Sequence, residues 1–429
     1  MTIYIFALIL ILLALLGTPL FAVILAVAML GFHYLDVSLS VIAIEIYRIA
    51  NTPLLLALPL FTFAGYILGE SKTSHRLVRL TRAFLCWMPG GLAIVAFIAC
   101  ALFTAFTGAS GVTIVALGAL LYPALIQDGY KDKFSLGLVT TSGSLGLLFP
   151  PSLPLILYGI IAQQMSVGKK VAINDLFLAG LLPGLLMVVL LSLYSLWENR
   201  LNPTITRTAF SSAEAVSAFK EAIWEIPLPF FVLGGIYGGY FAISEAAAAT
   251  AMYVLVVEVF IYKEISLSKL PAIMRDSMVM VGGILLILGV SLASTNFLID
   301  AEVPMRLFDL IQAQVTNKIV FLILLNILLL ILGAILDIFS ALVIMVPIIL
   351  PVAVSYGIDP VHLGIIFLAN MQIGYVTPPV GMNLFIASYR FNKPIAELYR
   401  AALPFMIVLF AAVLVITYWP SLSLVFLQK

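Results

Sequence analysis

Two stretches of this chain hold the residue types that could bind ions and acids. One is Ser142-Gly143-Ser144-Leu145-Gly146-Leu147-Leu148-Phe149-Pro150-Pro151, and the other is Asn370-Met371-Gln372-Ile373-Gly374-Tyr375-Val376-Thr377-Pro378-Pro379, 228 positions later. Both lie inside apolar segments where an unbroken helix would be expected. Consecutive prolines remove two N–H donors and push the residue before each out of the helical region. A helix broken inside a bilayer exposes carbonyls on its upstream piece and N–H groups on its downstream piece. The carbonyl end suits a small hard cation such as Na⁺, and the positive N–H end suits a carboxylate.

Each half has a second interruption upstream of its break: Thr107-Gly108-Ala109-Ser110-Gly111 in the first, Asp337-Ile338-Phe339-Ser340 in the second. The apolar runs around them, 91–106 and 112–126, then 319–335 and 340–355, are too short to span a ~30 Å hydrocarbon core, so they read as re-entrant helical hairpins. Thr107, Ser110, Ser142 and Ser144 then belong to one tip and break, and Asp337, Ser340, Asn370, Gln372 and Thr377 to the other. Two such sites would hold two cations about a pseudo-twofold axis with an anionic substrate between them. The blander alternative is that the breaks only shape the helices for close packing. Asp337 either ligates a cation or caps the helix that follows.

Other chemistry is poorly supported. Gly108-Ala109-Ser110-Gly111 fits an intramembrane serine protease pattern, but the only later histidine is His362, and an aspartyl protease would need a second membrane aspartate beside Asp337. A channel built from re-entrant hairpins is the more serious alternative. Cys86 and Cys100 read as small buried hydrophobes. His33, His75 and His362 read as residues at helix boundaries. Glu245 reads as an N-terminal helix signal, and Glu45 with Arg48 as a local pair. No cofactor is expected, and nothing resembles a nucleic-acid footprint.

The elements that must position these residues follow from composition. Of 429 residues, 63% are hydrophobic and 10% charged, with a mean hydropathy of +1.20. That much apolar surface requires an all-α polytopic membrane protein. Helix-length runs fall at 3–31, 52–70, 174–197, 226–242, 244–262, 277–298 and 398–426, and 203–222 reads as a polar linker. At an offset of 228, Val115 meets Val343, Pro123 meets Pro351, Gly129 meets Gly357, Gly146 meets Gly374, and Pro150 and Pro151 meet Pro378 and Pro379. Bend-forming positions that coincide in this way mark an internal repeat. Lys72, Arg76, Arg79 and Arg82 precede the first hairpin, whereas Asp300, Glu302 and Asp309 precede the second. Opposite charge at equivalent places implies opposite sides of the membrane, hence inverted repeats. Placing 71–90, 127–133, 198–225, 263–276 and 390–400 in the cytoplasm puts fifteen of the 21 Lys and Arg residues there. The fold expected is about ten crossing helices plus two re-entrant hairpins. Its regions are 1–70 scaffold; 71–165 arm, hairpin and broken helix; 166–298 scaffold; 299–392 the second arm, hairpin and broken helix; and 393–429 a terminal scaffold helix.

These hairpin and break motifs resemble the large membrane subunit of tripartite ATP-independent periplasmic (TRAP) transporters, over nearly the whole chain, with the sialic acid type nearest. The resemblance implies a sodium-driven elevator in the bacterial inner membrane, with a separate small four-helix membrane subunit and a periplasmic binding protein that delivers an acidic solute of sialic acid or C4-dicarboxylate type. A binding-protein-independent organic anion carrier is the alternative within transport. Carried over residue by residue, the cation sites are Thr107, Ser110, Ser142, Gly143, Ser144 and Gly146, then Asp337, Ser340, Asn370, Gly374 and Thr377. Substrate contacts fall to Ser142, Ser144, Pro150, Gln372, Thr377 and Pro378.

Overall fold

A computed structural model describes residues 10, 12–13, 16, 18–50, 52–85, 87–88, 90–165, 167–200, 210–312, 315 and 317–427. Cys86, the first half of the linker and most of the first apolar run lie outside the described residues. Among the described residues, eight helices are long and apolar enough to cross a bilayer. They become nine if the bent pair 132–148 and 153–165, 41° apart, counts as one.

The first half runs α1 (Leu20–Tyr34), α2 (Ser40–Ala50), α3 (Ala57–Glu70), α4 (Thr73–Leu85), α5 (Gly91–Thr107), α6 (Ser110–Gln127), α7 (Asp132–Ser142), α8 (Leu153–Met165) and α9 (Ile173–Asn199). The second contains α10 (Ser212–Glu221), α11 (Pro227–Tyr237), α12 (Ile243–Leu255), α13 (Leu270–Asp300), α14 (Val303–Gln312), α15 (Lys318–Ile335), α16 (Ile338–Ser355), α17 (Pro360–Gly374), α18 (Met382–Phe391), α19 (Ile395–Tyr418) and the short α20 (Ser421–Leu424). Shifting the first half by 228 lays α6 exactly onto the bounds of α16 and α5 within one residue of α15. The Pro150–Pro151 and Pro378–Pro379 bonds match too, both being cis. The hairpin arms have 17 or 18 residues, longer than expected, because the helical ladder runs right up to each two-residue tip.

Packing repeats the symmetry. The second arm of each hairpin lies on the far piece of the other half's broken helix, α6 on α18 and α16 on α8. Helices α1, α2, α3, α12 and α13 form a bundle, in which α3 pairs with α12 as α13 pairs with α1, and which meets the hairpins where α3 packs on α5 and α13 on α16. Helices α9 and α19, whose stretches sat with the scaffold in the sequence, pack on each other and on the broken helices α17 and α7. Every residue of α17 is buried, which its all-round apolar sequence permits.

One local expectation changes, and the others hold. Half of the linker is helix: the Ser211 hydroxyl accepts the Glu214 N–H at 3.3 Å and starts α10. His362 lies in the first turn of α17, at the helix start as expected, yet it is buried, with its ring Nε2 3.3 Å from the Thr417 carbonyl. The run at 34–50 yields the helix α2, where Glu45 and Arg48 pair at 2.9 Å as expected. Glu245 accepts the Ala242 N–H at 2.8 Å and so serves the start of α12.

Candidate functional site

In the first half the tip and the break meet through hydroxyls. Gly108 ends α5 at φ +66°, a left-handed conformation that suits glycine. The Thr104 hydroxyl lies 2.9 Å from the Gly143 carbonyl and 2.7 Å from the Thr113 hydroxyl, tying both hairpin arms to the break. A Cβ on Gly143 would sit 3.2 Å from the Ser110 carbonyl oxygen. Thr107 and Thr141 are buried, and their hydroxyls have no partner. Ser142 faces the arm rather than the tip, with its hydroxyl 3.3 Å from Cys100 Sγ. Ser144 points to the centre of the molecule and donates to the Gln372 carbonyl at 3.4 Å. Those two residues are equivalent in the repeat, so the two breaks touch where the halves meet.

The second half uses amides and an acid. Asp337 caps α16, accepting the Phe339 and Ser340 N–H groups at 3.0 Å and the Ser340 hydroxyl. The Tyr375 hydroxyl accepts the Ile338 N–H at 2.8 Å, joining tip to break. Asn370 faces arm α15, where its Nδ2 donates to Asn326 Oδ1 at 2.9 Å; its own Oδ1 has no partner. Gln372 is fully buried with neither Oε1 nor Nε2 partnered. Thr377 donates back to the Ile373 carbonyl at 2.8 Å. Pro150 is buried, whereas Pro378 is exposed.

Glycine sets how closely each break approaches its hairpin. A Cβ on Gly146 would come within 2.3 Å of the Ala101 carbonyl oxygen, and one on Gly374 within 2.5 Å of the Gly333 carbonyl carbon. Both glycines serve close packing directly.

The structure therefore brings together Ser110 with Gly143, Ser144 with Gln372, and Asp337 with Ser340. It turns Ser142 and Asn370 toward the hairpin arms. Sequence reasoning passed over Thr104, Thr113, Thr141, Asn326, Tyr375 and Asn383, whose Nδ2 donates across the halves to the Thr140 carbonyl at 3.3 Å. Thr104 lies one turn before Thr107 and Thr113 one turn after Ser110, so helical spacing would have found them. Asn326 stands alone in a run of Leu and Ile, a signal in itself.

Among the described residues, no group of three His, Cys, Asp or Glu side chains is arranged to hold a metal ion. Among the buried oxygens left without partners, those of Thr107, Thr141, Asn370 and Gln372 lie at the tips and breaks and are neutral hard donors, a set that fits an alkali cation.

The charged cluster of the chain lies elsewhere, on arm α4. Arg76 is buried and donates to Glu225, to Glu258 at 3.1 Å and to Glu264 at 2.6 Å, with its guanidinium 3.9 Å above the Tyr262 ring. Burial works against its charge, but Glu225 and Glu258 outweigh it and raise the guanidinium above its ordinary range. Burial likewise lifts the Glu225 carboxyl, against the pull of Arg76.

Known proteins resemble this chain throughout. The family model described as "Tripartite ATP-independent periplasmic transporter, DctM component" matches residues 4–422. The C4-dicarboxylate TRAP transporter large permease protein DctM of Pseudomonas aeruginosa is 34% identical over 389 residues, covering 90% of this chain and 89% of that one. The ectoine/5-hydroxyectoine TRAP transporter large permease protein UehC of Ruegeria pomeroyi is 32% identical, covering 96% of each. The isethionate TRAP transporter permease protein DctMQ of Oleidesulfovibrio alaskensis is 35% identical over 87% of this chain, which spans 58% of that protein's length. Among solved structures, the Alcanivorax borkumensis YdaH transporter shares the fold, with a TM-score of 0.64 at 16% identity over 91% of this chain and 89% of that one. This chain belongs to the DctM family of TRAP transporters: it is a large permease subunit, a multi-pass protein of the inner membrane and not an enzyme.

Proposed function

We propose that the chain is the translocation subunit of a sodium-coupled importer for a carboxylate-bearing solute, working with a small four-helix membrane subunit and a periplasmic binding protein. The observation that carries this reading is the set of buried polar atoms without partners at the paired breaks: Thr107, Thr141, Asn370 and Gln372. A buried polar group without a partner costs about 1–3 kcal/mol, and a bound ion or substrate would relieve it. The residues that would hold sodium in the first half are Thr107 and Ser110 at the tip, with Ser142, Gly143, Ser144 and Gly146 along the break. In the second they are Asp337, Ser340, Asn370, Gly374 and Thr377. Because Asp337 already caps α16, carbonyl and amide oxygens would carry most of the ligation there. Bound sodium would supply positive charge beside the breaks and so favour an acid next to it. The N–H ends of the downstream pieces, with Ser144, Gln372 and Thr377, would receive the carboxylate.

The moving body in this reading is the two hairpins and broken helices with α9 and α19, which pack on them. It slides against the α1–α3, α12 and α13 bundle. Relatives named for C4-dicarboxylates, ectoine and isethionate support small polar solutes, and a sialic acid falls within the same carboxylate chemistry. The test is uptake into proteoliposomes holding both membrane subunits and a loaded binding protein. Accumulation against a gradient that stops without Na⁺ is the expected result, and uptake indifferent to both Na⁺ and the binding protein overturns the reading. For the inverted topology, cysteines placed near Arg79 and near Asp309 should label from opposite sides.

A further inference from the structure

Helix α10 has two faces, and among the described residues only one of them has a partner. Glu214, Ser217 and Glu221, spaced i, i+3, i+7, all accept from Arg79 of arm α4, the first at 2.8 Å and the second at 3.0 Å. Ala215, Ala218 and Ala222 are buried beside them. The opposite side carries Val216 and Phe219, followed by Ile223 in the turn just past the helix end, and these are 53%, 46% and 46% exposed. A helix bathed in water on its outer side would not place three large apolar residues there. A short turn leads from α10 into the apolar helix α11, where Phe230 is 74% exposed. At the other end, α9 leaves the bilayer with Trp197 exposed and the Arg200 guanidinium 5.5 Å from its ring centroid, an aromatic and basic pairing typical of the headgroup level.

We infer that α10 is an interfacial helix. Its Val216, Phe219 and Ile223 face lies in the headgroup and acyl boundary of the bilayer, and through Arg79 it holds arm α4 at that depth. The occupant is lipid rather than a protein partner, because the chain runs on into the apolar helix α11, whose Phe230 is exposed, and because exposed Trp197 stands beside Arg200 where α9 ends. Amphipathic helices of this kind bind by apolar insertion.

The test needs no transport and uses the chain with its small membrane subunit in phospholipid vesicles. A bimane label on a cysteine at position 219 should be quenched about twofold by lipids carrying a shallow spin label, and shielded about fivefold from aqueous iodide relative to a label at Lys169, whose side chain is 86% exposed. Free iodide access without lipid quenching overturns the proposal. Lipid quenching that disappears when the small subunit joins also overturns it, by giving the face to a protein. For the anchoring, Val216→Ser, Phe219→Ser and Ile223→Ser together should increase the iodide access of a label at Phe84 on the arm. An unchanged Phe84 label would refute that part while the position 219 reading stands on its own.

Discussion

The two halves share a backbone and differ in everything attached to it. Their breaks, cis prolines and hairpin bounds coincide at one offset. The first break is sealed, with Pro150, Pro151 and Ser152 buried, and its surroundings offer hydroxyls. The second is open at Pro378, Pro379 and Val380, and offers amides and one capped acid. The first arm is pinned by buried Arg76, whereas the equivalent position in α14 is Pro304. Bends are thus the conserved currency of the repeat here, while donor chemistry and access belong to each half separately.

Four sets of substitutions break or sharpen this contrast. Arg76→Ala should have the largest effect, because it strands three carboxylates, two of them buried, at a cost of about 3–5 kcal/mol. Thermal unfolding in detergent should show it, while Arg306→Ala on the exposed second arm should stay within about 0.5 kcal/mol. Equal losses would mean that both arms are pinned. Next, Gly146→Ala and Gly374→Ala should each cost about 1–3 kcal/mol by overpacking and sharply lower uptake, since both meet backbone atoms rather than flexible side chains. A harmless alanine at either would show that the close approach is not needed there. Asp337→Ala should remove a cap worth about 1 kcal/mol, with Asp337→Asn restoring it. If Asn restores stability but still raises the sodium concentration needed for half-maximal uptake, the carboxylate is a ligand as well as a cap. The smallest stability change belongs to Thr107→Val, which removes an unpartnered hydroxyl. It should leave melting near the parent value yet weaken sodium dependence, and an unaltered sodium response would remove Thr107 from the site.

Much of the architecture could be read from residue order. Pro and Gly act on their own backbone, so the breaks, the tips and the offset were visible without any tertiary knowledge. Side-chain direction was not: Ser142 and Asn370 sit in the right segments but turn toward α5 and α15, because helix crossing decides which face looks inward. The Arg76 cluster was hidden for another reason. Its partners Glu225, Glu258 and Glu264 lie 149, 182 and 188 residues away, and no local pattern connects them. Helix α10 was read as linker because its arm-facing stripe is made of alanines, serine and glutamates, which look polar until Arg79 is placed beside them. His362 follows a helix start and so looked peripheral, yet α17 is buried from its first residue.

The contact between Ser144 and Gln372 carries one more implication. These two residues are images of each other, and a hydroxyl of one donates to the carbonyl of the other. Serine stands on one side and glutamine on the other, so the bond has no counterpart in the opposite sense, and the contact between the two breaks is directional.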